Sequence, residues 1–292
     1  MMVDMMQWPQ PSDDFRWVQV GPGPALVCRA LEPFADHLFS TRAWALGSGN
    51  GDEQAAWTQV SRQMGITLTD LVRVRQVHGA DVLVRRIGDV HPTASSEAGA
   101  GDAADVIVSD DPGLALAIRV ADCVPLLIAD RRTGAVAAAH AGWRGLAAGV
   151  PAATVGALAR EFGSRPSDLV AAAGPSIGAC CYEVGEEVYR RFEPAFSQEQ
   201  LVRWFSPSAR PSARNPSFPG LAKDPRPRHW YFDGARSVAD QLEACGLSPE
   251  HVHVADLCTA SHPGMLCSFR RDGAPAGRMV AAIKPRSLKS QV

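Results

Sequence analysis

Between Asp105 and His140 the chain passes through four apolar stretches with no helix-length segment between them. They are Asp105 to Ser109, Leu114 to Val120, Val124 to Asp130 and Val136 to His140. Asp110-Asp111-Pro112-Gly113 and Arg131-Arg132-Thr133-Gly134 mark turns between them. Short apolar runs bounded by Pro, Gly and Asp read as buried strands. Strands that follow one another without crossover helices pair as antiparallel or mixed sheets, which excludes a simple βαβ repeat. The expected class is therefore α+β with mixed sheets.

The flanks add to this frame. Ala25 to Leu31 and His37 to Thr41 read as short strands. Asp52 to Met64 has a helical pattern that stops at Gly65. Leu71 to His78 alternates apolar and polar residues, as a half-buried strand does. Val82 to Val84 starts another strand, and Gly88 to Ala104 reads as a loop. Leu146 to Phe162 reads as a helix whose regular part begins near Val150, because Pro151 fits only a first turn. Further along, Leu169 to Ala173, His251 to Val254 and Arg278 to Ile283 read as strands. Gly185 to Phe196 and Asp233 to Cys245 read as helices, the latter capped by Asp233. With no internal repeat and no clear boundary, residues 1–292 are expected to form one domain. It would carry an irregular N-terminal arm, Met1 to Gly23, and a Pro-, Ser- and Arg-rich surface insertion, Ser206 to Arg228.

Net charge is −2, which leaves no basic footprint for nucleic acid or an anionic membrane. No apolar run is long enough to span a bilayer, and the first residues lack a secretory pattern. The expectation is a cytoplasmic protein. The seven cysteines are odd in number and scattered, so they read as thiols, ligands or nucleophiles and not as a disulfide framework.

His78, Cys123 and His140 each stand at or beside the end of an apolar strand. Two imidazoles and a thiolate are favoured zinc ligands, and three protein ligands leave a fourth position open for chemistry. A second reading makes Cys123 a nucleophile, His140 its base and Asp122 the group that orients the imidazole. Spacing does not separate the two. Arg144, in a glycine-flanked turn before a helix, suits a phosphate or carboxylate. Trp143 suits a pocket wall. Gly174 to Gly178 is a turn without the Gly-Lys-Ser/Thr of a phosphate loop. Cys180 and Cys181 are adjacent, which disfavours a mutual disulfide, and they read as core or near-site thiols. Ser268 to Asp272 sets two arginines beside a strand.

Three blocks carry a resemblance: Gln76-Val77-His78-Gly79-Ala80-Asp81-Val82, Ala121-Asp122-Cys123-Val124-Pro125 and His140-Ala141-Gly142-Trp143-Arg144-Gly145. They resemble the signatures of the laccase-domain, YfiH-type family, also called polyphenol oxidase-like and purine nucleoside phosphorylase. Further blocks agree in order, among them Phe39 to Arg42, Gly51-Asp52, Ala104-Asp105, Tyr182 to Gly185, Cys258-Thr259 and Gly277 to Met279. The resemblance implies an α/β/β/α arrangement with helices outside. It also implies zinc held by His78, Cys123 and His140, with copper as the alternative ion. The implied activities are phosphorolysis of adenosine, inosine and methylthioadenosine, and deamination of adenosine, with nucleoside and phosphate as the partners.

On that reading His78, Cys123, His140 and Asp122 are catalytic, with Asp122 as proton shuttle or orienter, and Arg42, Gln76 and Arg144 contact substrate. The alternatives are a copper polyphenol oxidase, a cysteine amidase or hydrolase acting on a cell-wall peptide precursor, and a zinc-dependent binding module. A multicopper enzyme needs many more histidines than His78 and His140. Two departures stand out: a Gly-Gly-Val-Ser loop usual after the Ser-Thr-Arg block is missing beyond Arg42, and Ser61-Arg62 replaces the usual Asn-Arg pair.

Overall fold

Two six-stranded sheets carry the fold in the computed structural model, which describes residues 8–47, 53–89 and 102–286. In the first sheet the order is β1 (Phe15–Val20), β2 (Gly23–Cys28), β3 (Ala35–Phe39), β15 (Met279–Pro285), β7 (Ala115–Val120) and β4 (Leu71–Val72). In the second it is β14 (Val252–Val254), β10 (Leu169–Ala173), β8 (Val124–Asp130), β9 (Val136–Ala141), β6 (Val106–Ser109) and β5 (Val82–Arg85). Both are mixed. The β4–β7, β5–β6 and β10–β14 pairs are parallel and the others antiparallel. A small third sheet joins β11 (Glu183–Gly185), β13 (His229–Phe232) and β12 (Phe205–Ser206).

The side-chain period of two explains why the sheets stack. Along β8, Leu127 and Ala129 meet Leu116, Ile118 and Ile283 of the first sheet, while Leu126 and Ile128 face the other way. Both faces of these strands are buried, so they read as continuous apolar runs. Helices α3 (Val150–Phe162) and α6 (Gly234–Ala244) cover the outer face of the second sheet through Val155, Leu158, Val238 and Leu242. Helix α1 (Glu53–Gln63) covers the outer face of the first through Trp57 and Val60. The result is the α/β/β/α layering. Shorter helices α2 (Trp143–Ala147), α4 (Glu186–Phe192), α5 (Gln198–Trp204) and α7 (Phe269–Asp272) complete it. Among the described residues, no helix is long and apolar enough to cross a membrane.

Several expectations change. The arm through Gly23 is not irregular throughout: Phe15–Val20 is an edge strand hairpinned to β2 from Phe15↔Cys28 to Val20↔Gly23. Its polar Arg16 and Gln19 mask the strand pattern, and edge positions tolerate them. The strand expected over 71–78 is regular only at Leu71–Val72, with a single further bridge from Arg75 to Ala103. Beyond it the Gln76 side-chain amide replaces the backbone ladder, donating to the Arg119 carbonyl and accepting from the Arg119 N–H, each at 2.8 Å. Pro151 sits in the first turn of α3, as its chemistry demands, and Gly149 at φ 77° separates α3 from α2. Helix α5 was unexpected, although Ser197 and Gln200 form a capping box. The 206–228 segment has little regular structure, yet Asn215 is buried and bonds Asp256 and Cys258. Gly51-Asp52, residues 1–7 and most of the 88–104 loop lie outside the described residues.

Candidate metal centre

The ligating atoms of His78, Cys123 and His140 all lie within 4.8 Å of one another. Three different connections deliver them. His140 comes from the end of β9, Cys123 from the link between β7 and β8, and His78 from the link between β4 and β5. The two imidazole rings stand edge to face, 4.8 Å between centroids and 77° apart in plane.

A buried carboxylate, Asp105, organises the arrangement. Its oxygens accept from the amides of Val77, His78 and Gly79 at 3.1, 3.0 and 2.6 Å. They also accept from His140 Nδ1 at 2.8 Å. That last bond fixes the His140 tautomer and leaves Nε2 free as the ligating nitrogen. Burial pushes the Asp105 carboxyl up, but the bonds from His140 and from the Gly79 and Val77 amides outweigh it and hold the group below its ordinary value. Asp105 carries no role in the sequence reading. The available signal was an aspartate opening an otherwise apolar strand, since a charge in that position is rarely buried unpaired.

Glycines make the room. A Cβ on Gly142 would stand 2.9 Å from Cys123 Sγ, 3.2 Å from His78 Cδ2 and 3.7 Å from His140 Cε1. One on Gly145 would stand 2.8 Å from the Gly79 carbonyl, so α2 packs on the His78 turn only because that position is bare. His78 (φ 62°) and Asp122 (φ 90°) occupy the left-handed region, which residues with a Cβ seldom adopt.

Electrostatically, Cys123 and His140 form a pair. Burial pushes the thiol up, but the charge and hydrogen bond of His140 and the hydrogen bond of His78 bring it down to about 7. Burial lowers His140, but the Cys123 charge and the Asp105 bond raise it to about 9. Without metal, thiolate and imidazolium coexist between those two values. The folded apo state loses the Cys123 contribution as pH falls through about 7, and the His140 contribution as pH rises through about 9. A cation must displace the remaining protons. Its apparent affinity should rise about tenfold per pH unit where one proton leaves, and about a hundredfold per unit below Cys123's value, where two leave. Chelator competition across that range measures the slope, and a flat profile would contradict the pairing.

The donor set and the space beside Gly142 fit a tetrahedral ion with an open position. Of the other expected site residues, Arg144 stays near the centre, and Asp122, Gln76 and Arg42 bond the protein itself. Asp122 does not join the three. Its oxygens accept from Thr259 Oγ1 and the Arg270 amide, each at 2.6 Å, and burial pushes its carboxyl up. It holds the Cys123 turn instead of facing the ligands. Gln76 is spent on the Arg119 backbone. The Arg42 guanidinium donates to the Pro263 carbonyl, and buried Trp44 and Leu46 follow at the place of the missing loop. Arg144 lies over the Trp143 ring at 4.3 Å. Two residues without an assigned role stand nearby: Tyr182, whose phenol is pushed up by burial and by the Cys123 charge, and Arg270, 4.7 Å over the Tyr182 ring. The Arg270 and Arg144 charges both act on that phenol.

The family described as multi-copper polyphenol oxidoreductase laccase matches residues 40–286. A Bacteroides thetaiotaomicron protein named purine nucleoside phosphorylase is 31% identical over 264 residues, covering 85% of this chain and 90% of its own. One of the same name from Deinococcus radiodurans is 30% identical over 275 residues, 90% of this chain and 93% of its own. The crystal structure of YlmD from Geobacillus stearothermophilus superposes with a TM-score of 0.78 at 28% identity, covering 94% of this chain and all of that one (100%). That of Bacillus licheniformis YfiH gives 0.76 at 25% identity, over 92% and 99%. The chain belongs to this laccase-like family, in which its curated relatives are named purine nucleoside phosphorylase.

Proposed function

We propose that this chain is a cytoplasmic, single-domain, zinc-dependent purine nucleoside phosphorylase acting on adenosine, inosine or methylthioadenosine, and that the same centre deaminates adenosine. The observation that carries the reading is the convergence of His78, Cys123 and His140 beside Tyr182 and the two cations Arg144 and Arg270. When bound, zinc supplies Lewis-acid stabilisation of developing negative charge. Arg144 and Arg270 supply the positive field that phosphate requires. The phenol of Tyr182 stays protonated at neutral pH and so donates a hydrogen bond to an anion instead of repelling it. Asp105 keeps His140 in the ligating tautomer. Among the described residues, only one cluster of metal-ligating groups contains histidine, which supports a mononuclear centre over a multicopper one.

The test is release of free base from adenosine and inosine by protein of verified metal content, with and without phosphate. Phosphate-dependent release is expected, falling by about a hundredfold or more in Cys123→Ala, since ligand loss removes the centre. Full metal content with no phosphate-dependent release would sink the assignment. The thiolate–imidazolium pair favours a second reading, hydrolysis with Cys123 as nucleophile. That reading requires phosphate-independent turnover and trapping of Cys123 by an electrophilic substrate analogue in metal-free protein.

A further inference from the structure

Three more sulfurs converge behind the Cys123 turn. Cys180, Cys181 and Cys258 are all buried, none is in a disulfide, and their Sγ atoms lie within 4.8 Å of one another. Cys180 and Cys181 follow the turn at Gly178, and Cys258 reaches them through the Ser176↔Cys258 bridge. The 206–228 segment closes the pocket. The Phe218 amide donates to Cys181 Sγ at 3.2 Å, the Ser217 hydroxyl to the Cys180 carbonyl at 2.7 Å, and the Cys258 amide to Asn215 Oδ1 at 2.7 Å. From the opposite side the Gly178 amide donates to Cys258 Sγ at 3.3 Å.

Neutral thiols are weak acceptors, whereas thiolates and metal-bound sulfurs accept readily. Two backbone N–H groups aimed at two of the three sulfurs are what such sulfurs need. The pocket also offers a cation little else. Among the described residues no imidazole or carboxylate joins the group, His262 facing Asn215 Oδ1 instead at 3.4 Å, and the Ser261 hydroxyl stands 3.5 Å from Cys180 Sγ and 3.8 Å from Cys181 Sγ. With metal–sulfur bonds of about 2.3 Å, three sulfurs around one ion stand about 4 Å apart. The observed spacing needs closure of less than about 1 Å to meet that distance. An all-sulfur set selects a thiophilic ion over hard cations.

We propose that Cys180, Cys181 and Cys258 form a second, structural site for a thiophilic d10 cation, Zn²⁺ or Cu⁺. Binding exchanges the thiol protons for metal–sulfur bonds, and the protons leave to solvent. The site ties Cys258 to the Gly178 turn, with the 206–228 segment hydrogen-bonded to all three ligand residues. That turn meets the catalytic side through the Ile177 amide, which donates to the Asp122 carbonyl at 2.9 Å, and through Thr259 on the Asp122 carboxylate.

The test loads the full-length protein, purified under reductant, with Zn²⁺ in one arm and Cu⁺ in the other, and reads metal per chain by elemental analysis after desalting. About two equivalents are expected in at least one arm, and the arm that reaches two identifies the ion. Cys258→Ser should lose one equivalent and retain the ion held by His78, Cys123 and His140, while Cys123→Ser should show the converse. X-ray absorption on the wild-type protein decides the matter independently of whether Cys258→Ser folds. Two sites together give an average of about two sulfurs per metal, whereas the first site alone gives one. One equivalent per chain in both arms, or one sulfur per metal, overturns the proposal. So does equal alkylation of Cys180, Cys181 and Cys258 with and without metal. All three readouts are independent of catalytic activity.

Discussion

Asp105→Ala is expected to destabilise the fold by about 3–5 kcal/mol, the usual cost of breaking a buried charged pair from one side. The carboxylate is fully buried and binds three consecutive amides and one imidazole. Removing it takes the acceptor from three N–H donors of the part-exposed 77–79 turn and lets His140 rotate. Denaturant midpoints measure the first effect. Chelator competition measures the second, a further loss of about 10–100-fold in metal affinity. Asp105→Asn separates them in part, because its one amide oxygen still accepts from the Val77 and Gly79 amides while its NH2 group gives the imidazole neither charge nor acceptor. The sign with pH follows from the depressed carboxyl. Its stabilisation is present above the unfolded-state value and disappears as acid protonates the folded carboxylate, so the wild type should lose that increment on acidification and Asp105→Asn should not. An Asp105→Ala protein with wild-type midpoint and affinity would mean that Asp105 does not organise the ligand trio.

Gly142→Ala should do nearly the opposite, sparing the fold and disabling the metal centre. At φ −72° and ψ 164° the position accepts any side chain without backbone strain. Alanine there stiffens the unfolded chain, which offsets part of the cost of its side-chain contacts, so stability should stay within about 1 kcal/mol of wild type. The new methyl meets Cys123 Sγ at 2.9 Å and His78 Cδ2 at 3.2 Å. Displacing a ligand on that scale should reduce activity by about 100-fold, with a parallel loss of metal. Unfolding curves and metal content measured on the same preparation read both effects. Retained affinity would mean that the three ligands do not share one ion beside Gly142.

The middle of the fold was legible because burial on both faces makes β6, β7, β8 and β9 apolar over most of their length, and such runs read as strands. Edge elements were not. Phe15–Val20 carries polar residues that an edge strand tolerates, and Gln76 ends a strand by a side-chain bond that no periodicity predicts. The ligand trio was readable as residue types at strand ends, but its convergence was not, since His78 and His140 are 62 residues apart and only sheet pairing unites them. Gln76, Asp122 and Arg42 illustrate the limit from the other side. Each lies in a signature block, and each bonds the protein's own backbone or side chains, Arg42 through one of its guanidinium nitrogens. Asp105, Tyr182 and Arg270 were invisible as site residues for a related reason. Their importance comes from which atoms they face, a property of three-dimensional register that linear pattern does not encode.

Two of the three ligands sit where the chain steps from one layer to the other. His78 lies between β4 of the first sheet and β5 of the second, and Cys123 between β7 of the first and β8 of the second. An ion there acts as a rivet through the sandwich at one corner. Its withdrawal would loosen the seam between the layers before it unravelled either of them. Amide exchange should then quicken first around 73–81 and 121–123, with the β8–β9 ladder still protected. The metal's binding energy is in this sense mechanical as well as chemical: it sets how far two otherwise complete sheets can slide.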